Sequence, residues 1–192
     1  MVTGGCGFIA SNFLNTMKKR YPETTFINID KLDYCSNVEN VNPGVATFIK
    51  GNVGNKELVE HIIKKYSFDA VFHFAAQSHV DNSFESALSF TQDNTYATHV
   101  LIECCRRHIP NVEIIHFSTD EVYGESKTNT RFTEEETVLR PTNPYAASKA
   151  PAEMIVRSYF HSFGMNIKLI RCNNVYGPNH YPEKLIPKFK RL

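Results

Sequence analysis

A glycine-rich turn, set between a short apolar start and an amphipathic run, constrains this chain more than any other feature. Met1-Val2-Thr3 leads into Gly4-Gly5-Cys6-Gly7-Phe8-Ile9-Ala10, and Ile9 to Arg20 then carries helix-like spacing. The pattern G-x-x-G-x-x-A lets backbone turn tightly and approach a phosphate closely, and a helix start behind it offers unpaired N–H groups and a positive dipole end. Ala10 stands where a third glycine would serve helix–strand packing, a tolerated exchange. Alone, such a turn also fits a plain loop. Asp30 weighs against the loop, because it ends the apolar run Thr25 to Asp30 at about the 20-residue spacing expected of a ribose-binding acid. A carboxylate there accepts both ribose hydroxyls and repels a 2′-phosphate, which favours NAD over NADP; Lys31, next in the chain, tempers that preference.

The rest of the chain repeats the alternation that the turn begins. Strand-like runs cover Thr25 to Asp30, Ala46 to Lys50, Asp69 to Ala75, Val112 to Ser118 and Asn166 to Cys172. Helix-like segments lie near Ile9 to Arg20, Lys56 to Tyr66, Ser86 to His108 and Tyr145 to Phe163. Runs such as Ala70-Val71-Phe72-His73-Phe74-Ala75 lack period-two alternation, which indicates strands buried on both faces. The expected architecture is α/β, a Rossmann-type doubly wound parallel sheet. Residues 1–172 form the dinucleotide-binding domain and residues 173–192 begin a substrate-binding region. Met1-Val2-Thr3 leaves only a stub where a strand of about five residues is usual. Leu185 to Leu192 reads as a helix just starting.

Composition excludes several classes. The formal charge of +1 gives no electrostatic case for nucleic acid or an anionic membrane. No apolar run nears the roughly 20 residues of a membrane helix, and the start lacks the basic-then-apolar order of a signal peptide. The five cysteines form no CxxC pair and the eight histidines no HExxH, so no metal site is expected and reduced thiols in the cytoplasm are the plain reading. His73 and His116, inside apolar runs, read as satisfied core residues.

Further stretches fit a dinucleotide. Asn52-Val53 follows the third strand-like run and can lie beside an adenine, and Phe74-Ala75-Ala76-Gln77-Ser78 ends the fourth with small residues. Each also fits a strand-end turn. Asn94, in the next helix-like segment, reads either as a cofactor contact or as a buried polar residue satisfied locally.

The chemistry concentrates in Ser118-Thr119-Asp120-Glu121-Val122-Tyr123-Gly124 and Tyr145-Ala146-Ala147-Ser148-Lys149. Tyr145 and Lys149 are four apart and share a helix face. An ammonium beside a phenol lowers a pKa normally about 10, so Tyr145 is expected to act as base or acid near neutral pH. Eliminating water needs an acid on one oxygen and a base on one carbon, and adjacent carboxyls such as Asp120 and Glu121 push their pKa values apart, which suits that division. Without its neighbours the pair would read as a solvated strand-end acid pair.

These stretches carry a specific resemblance. VTGGCGFIAS, NIDKLDY, HFAAQSHVDNS, STDEVYGE, NPYAASKA and NNVYGPNHYPEKLIP are spread over the whole chain. In them the chain resembles the extended short-chain dehydrogenase/reductase superfamily, and within it the nucleotide-sugar 4,6-dehydratases: the dTDP-glucose and UDP-glucose enzymes, including the dehydratase part of plant-type UDP-rhamnose synthases. The resemblance implies NAD held by Gly4, Gly7, Phe8, Ile9, by Asp30, Lys31, Leu32, Asp33, by Asn52 and Val53, by Phe74, Ala75, Ala76 and Ser78, and by Asn94, Tyr145 and Lys149. It implies a nucleotide-sugar substrate held by Ser78, His79, Thr119, Asn174, Glu183, Lys184 and Leu185. It assigns catalysis to Thr119, Asp120, Glu121, Tyr145 and Lys149, and it implies a homodimer through the helices near Ser86 to His108 and Tyr145 to Phe163. The family continues into a substrate domain that would be largely absent here, and it usually has Asp where Asn52 stands.

Other readings of the scaffold stay open. A nucleotide-sugar 4-epimerase needs Tyr145, Lys149 and a Ser or Thr but no acid pair. A decarboxylase relative tends to keep Glu121 without Asp120. A dehydratase acting on UDP-N-acetylglucosamine, or an NAD-binding module without catalysis, would share the same motifs.

Overall fold

The computed structural model describes residues 1–126, 131–134, 137–183 and 185–190, with backbone alone at 185 and 190. Among the described residues, β1 (Val2–Thr3), β2 (Ile27–Asp30), β3 (Thr47–Lys50), β4 (Ala70–His73), β5 (Glu113–Thr119) and β6 (Ile167–Cys172) pair into one sheet. Their order is β3-β2-β1-β4-β5-β6, and every pairing is parallel. This is the doubly wound Rossmann arrangement that the alternation predicts.

Helices cover both faces, because strands without period-two patterning must be buried on both sides. The helix α1 (Phe8–Arg20) packs Ala10 and Leu14 on one face with Val2, Phe26 and Val45. The helices α2 (Lys56–Lys65), α5 (Ala97–His108) and α6 (Pro144–Phe163) pack on the other, where Val59, Ile62, Leu101, Ile102 and Val156 meet Ile29, Val71 and Ile114. Two short helices, α3 (Val80–Glu85) and α4 (Ala87–Phe90), precede α5, and α7 (Leu185–Lys190) closes the described chain.

The chain runs outward from β1 to β2 and β3, then returns to lay β4 on the other side of β1. That reversal opens a crevice at the carboxyl ends of β1 and β4, where open α/β sheets bind ligands. Register sharpens the geometry. The β4–β5 pairing ends at His73↔His116, whereas β5 continues beside β6 to Thr119↔Cys172. Residues 117–119 thus project past the end of β4 at the crevice.

Three differences from the sequence reading concern the stretch between β4 and β5. The predicted helix from Ser86 to His108 is α4, a π-helical turn Thr91–Tyr96 and α5, and α3 lies before it. A π turn inserts residues into the helical repeat, so side-chain facing shifts within an apparently continuous segment. Asn94 becomes fully buried, and its amide binds residues 17 and 54 positions away rather than local backbone. His73 is satisfied by Thr3 and Thr98 as expected. His116 is not: it is fully buried, 5.3 Å from the His73 ring, and neither ring nitrogen has a hydrogen-bond partner.

Candidate active site

The glycine turn is built by steric demand. Gly4 has φ 71°, and a Cβ there would lie 2.7 Å from the Ala75 Cα, so only glycine lets β1 and the end of β4 approach. Gly4 N–H donates to Ile29 O, and Gly7 N–H donates back to Gly4 O. Gly7 is the extended N-cap of α1 and offers no side chain, which leaves the N–H groups of the first turn, from Phe8 on, facing the crevice.

Asp30 closes this turn. Its carboxylate accepts from Cys6 N–H at 2.9 Å, from Leu32 N–H at 2.8 Å and from Ser36 Oγ at 3.3 Å. The acid therefore ties the glycine turn to the loop after β2 while it lines the cleft. Lys31 lies 2.7 Å from both Asp33 and Asp93, and Gln77 Nε2 donates to the same two carboxylates. Burial acts to lower the Lys31 pKa, but the two carboxylates outweigh it and raise it. The cation is thus neutralised within the protein, which removes the objection it raised to an unphosphorylated ribose. Leu32 does not line the cleft: with φ 60° it turns the loop so that its N–H reaches Asp30. Asn52 Oδ1 caps its own turn through Gly54 N–H at 2.7 Å.

The reacting groups gather at the end of β5 and the start of α6. Thr119 is the N-cap of the 3-10 turn Asp120–Tyr123; its Oγ1 accepts from Glu121 N–H and donates to Asp120 Oδ1. Gly124 ends the turn at φ 84°, where a Cβ would sit 2.2 Å from Arg140 O. Asn143 ties the turn to the helix. Its Oδ1 caps α6 through Ala146 N–H, and its Nδ2 donates to Glu121 Oε2, both at 2.8 Å. Glu121 thus lies at the N-terminus of α6, where the dipole favours an anion and whose first turn carries Tyr145.

Tyr145 and Lys149 are both buried and both line the cleft. The expected depression of the phenol is not found: its surroundings act in the opposite direction. Burial raises Tyr145 to about 12, Thr119 pulls the other way, and the nearby charges of Glu121 and Asp120 raise it further. Lys149 instead donates from Nζ to Phe117 O at 2.7 Å, and burial lowers its own pKa to about 8 against the opposing pull of Glu153 and Cys172. Shared helix face does not by itself aim an ammonium at a phenol.

One cleft of about 500 Å³ holds nearly all of these groups. Its walls include Gly4, Gly7, Phe8, Ile9, Asp30, Lys31, Asp33, Asn52, Val53, Phe74, Ala75, Ala76 and Ser78, together with Thr119, Asp120, Glu121, Tyr145, Lys149, Asn174 and Glu183. Asn94 and His79 are not among them. The Asn94 amide accepts from Gln77 N–H and donates to Gln77 O and Ser148 Oγ, so it braces the wall from behind. His79 turns toward Glu183, Nδ1 lying 3.7 Å from that carboxylate. Glu183 also accepts from Tyr34 Oη at 3.0 Å, and burial followed by this carboxylate raises the Tyr34 phenol well above its usual value. Lys184 and the Leu185 side chain lie outside the described residues. Sequence reasoning missed Asp93 as a partner of Lys31, Gln77 as a donor to the two carboxylates that hold Lys31, and Asn143 as the anchor of Glu121. An N-cap Asn before Pro144 is a legible signal for the helix start, but nothing local marks its second bond. Among the described residues, no cluster of His, Cys, Asp and Glu could hold a metal ion.

The family model described as GDP-mannose 4,6 dehydratase matches residues 1–191, and the chain belongs to that family. Over 194 residues the chain is 47% identical to the Arabidopsis thaliana trifunctional UDP-glucose 4,6-dehydratase/UDP-4-keto-6-deoxy-D-glucose 3,5-epimerase/UDP-4-keto-L-rhamnose-reductase, covering 98% of this chain and 29% of that protein. It is 45% identical over 197 residues to the Homo sapiens dTDP-D-glucose 4,6-dehydratase, covering 100% of this chain and 55% of that one. Among solved structures, the Streptomyces venezuelae dTDP-glucose 4,6-dehydratase DesIV, crystallised with NAD and TYD bound, superposes with a TM-score of 0.89 at 38% identity, covering 98% of this chain and 59% of that one. The chain thus spans little more than half the length of these relatives, or less.

Proposed function

We propose that the protein is an NAD-dependent nucleotide-sugar 4,6-dehydratase, converting a UDP- or dTDP-hexose, with glucose the preferred sugar, to its 4-keto-6-deoxy derivative. The observation that carries this reading is the acid pair Asp120-Glu121, set in the cleft beside Thr119 and Tyr145. The cleft fits NAD: Gly4 has no room for a Cβ, a helix start faces the crevice, Asp30 lines the cleft at the end of β2 where a carboxylate can accept ribose hydroxyls, and Lys31 is already neutralised. NAD held by these residues would supply the redox chemistry, as a carrier for a hydride between sugar C4 and C6.

The chain's own residues move the protons. Tyr145 takes the proton of the 4-hydroxyl, with Thr119 hydrogen-bonding that oxygen. The new ketone acidifies the C5 hydrogen, which Glu121 removes while Asp120 protonates the departing 6-hydroxyl, so that water leaves; once a hydride has reached C6, Glu121 returns the proton to C5. Asp120 must carry a proton to do this. Asn174 and Glu183 also line the cleft, and their polar side chains suit the sugar nucleotide.

We also propose a homodimer. Leu88 is 87% exposed, and Met154, Phe160 and Phe163 leave about half their surfaces in solvent along α6, exposed apolar side chains of the kind that subunit contacts cover. A monomeric mass in light scattering would count against it. No described helix is long and apolar enough to cross a membrane, and five free thiols suit the reducing cytoplasm. The function is tested by incubating full-length protein with NAD and UDP-glucose or dTDP-glucose. The expected product is the 4-keto-6-deoxy sugar nucleotide; its absence from every hexose nucleotide tried rejects the reading.

A further inference from the structure

Outside the cleft, Arg171 of β6 and Glu153 of α6 form a buried ion pair, with side chains 5% and 0% exposed. Arg171 Nε reaches both carboxylate oxygens at 3.2 and 3.1 Å, and Nη2 reaches one of them at 2.7 Å. The remaining nitrogen, Nη1, donates to Tyr123 Oη at 2.8 Å and to Glu134 O at 3.2 Å. The guanidinium carbon also lies 4.7 Å from the Tyr123 ring centroid. A buried ion pair is weak evidence for stability, because desolvating two charges offsets most of their attraction. What this pair connects is more informative than what it contributes to stability.

Glu153 lies one turn beyond Lys149 and two beyond Tyr145, on the same face of α6. Its carboxylate supports the Lys149 ammonium against burial. Tyr123 is the last residue of the turn that begins with Asp120 and Glu121. Arg171 faces Ser118 across the β5–β6 register, directly below that turn. One guanidinium therefore grips both the helix that carries Tyr145 and Lys149 and the turn that carries the acid pair. Only arginine meets this demand. A lysine could neutralise Glu153, but it lacks the planar fork that bonds a carboxylate and a phenol at once and stacks on a ring.

We propose that Arg171 is a positioning residue that locks the acid turn to the catalytic helix, acting on Asp120 and Glu121 through Tyr123 and on Lys149 through Glu153. The inference rests on the dehydratase reading. It assigns the two arms of Arg171 to different steps: the Tyr123 arm to elimination, the Glu153 arm to oxidation at C4.

The test compares wild type, Tyr123→Phe, Arg171→Lys and the double variant Glu153→Gln/Arg171→Met in full-length protein. The double variant removes both charges of the Arg171–Glu153 pair together. Formation of reduced nicotinamide, exchange of the C5 hydrogen with deuterated solvent, and final product are followed separately. Hydrogen exchange of the 120–124 amides and of α6 is measured without any ligand. Tyr123→Phe and Arg171→Lys are expected to slow C5 exchange and product formation about ten- to a hundredfold. Reduced nicotinamide should form within about threefold of wild type, and so accumulate. Their 120–124 amides should exchange faster while those of α6 do not. The double variant should additionally shift the pH profile of nicotinamide reduction to lower pH, because Lys149 has lost its carboxylate. Equal loss of both steps in Tyr123→Phe and Arg171→Lys, or no change in either, overturns the inference while leaving the dehydratase reading intact. A wild-type protein that makes no 4-keto-6-deoxy product overturns the dehydratase reading, and the inference with it.

Discussion

The two sides of the cleft are made from different materials. On the β1–β3 side the working parts are backbone: a glycine turn, the first N–H groups of α1, and one carboxylate that ties the turn to the next loop. On the β5–α6 side they are buried side chains held by other side chains: Thr119 on Asp120, Asn143 on Glu121, Arg171 on Glu153 and Tyr123. Backbone groups tolerate little change in shape and do not themselves titrate. Side-chain sites depend on charge states and so on pH. Recognition of the invariant part of a dinucleotide suits the first kind, and proton transfer requires the second.

Gly4→Ala should break the backbone side. At positive φ, with a Cβ 2.7 Å from the Ala75 Cα, the substitution is expected to cost about 3 kcal/mol and to abolish measurable NAD binding. Denaturant titration and calorimetry check both, and the stability loss should be the same at every pH. An alanine variant that binds NAD as wild type does would mean the close approach is unimportant.

His116→Leu should sharpen the comparison from the other side, with a smaller effect. His116 is buried without a partner, and burial, then the charge of Lys149 and the neighbouring His73, hold its pKa well below 6.5. The folded state excludes a proton that the unfolded state binds, so stability is whole above pH 6.5 and falls as pH drops below it. By about pH 5 this single group costs wild type about 2 kcal/mol that the leucine variant keeps. Parallel acid-unfolding curves for the two proteins would contradict the account.

The same contrast explains what could be read from the chain alone. The glycine turn, Asp30 and the parallel sheet were legible because their signals are local: spacing within a motif, or apolar runs without alternation. Tyr145 and Lys149 were legible as a pair but not as a geometry, since the ammonium bonds the Phe117 carbonyl instead of acting on the phenol. Asn94, Asn143 and Arg171 take partners 17 to 54 residues away, and no period in the sequence encodes such pairings. The π turn at Thr91–Tyr96 hid which partners Asn94 meets, because one inserted residue resets the helical repeat. His79 and Leu32 match family motifs yet serve a loop contact and a turn; a motif match locates a residue without fixing what it touches.

The central claim is that Asp120 and Glu121 turn a redox site into an elimination site. Asp120→Asn in full-length protein tests it most directly, because it removes the acid while leaving Thr119, Tyr145 and Lys149 in place. With NAD and the glucose nucleotide that wild type converts, the account predicts that reduced nicotinamide forms and persists while 4-keto-6-deoxy product falls about a hundredfold or more. Product formation at the wild-type rate would contradict it.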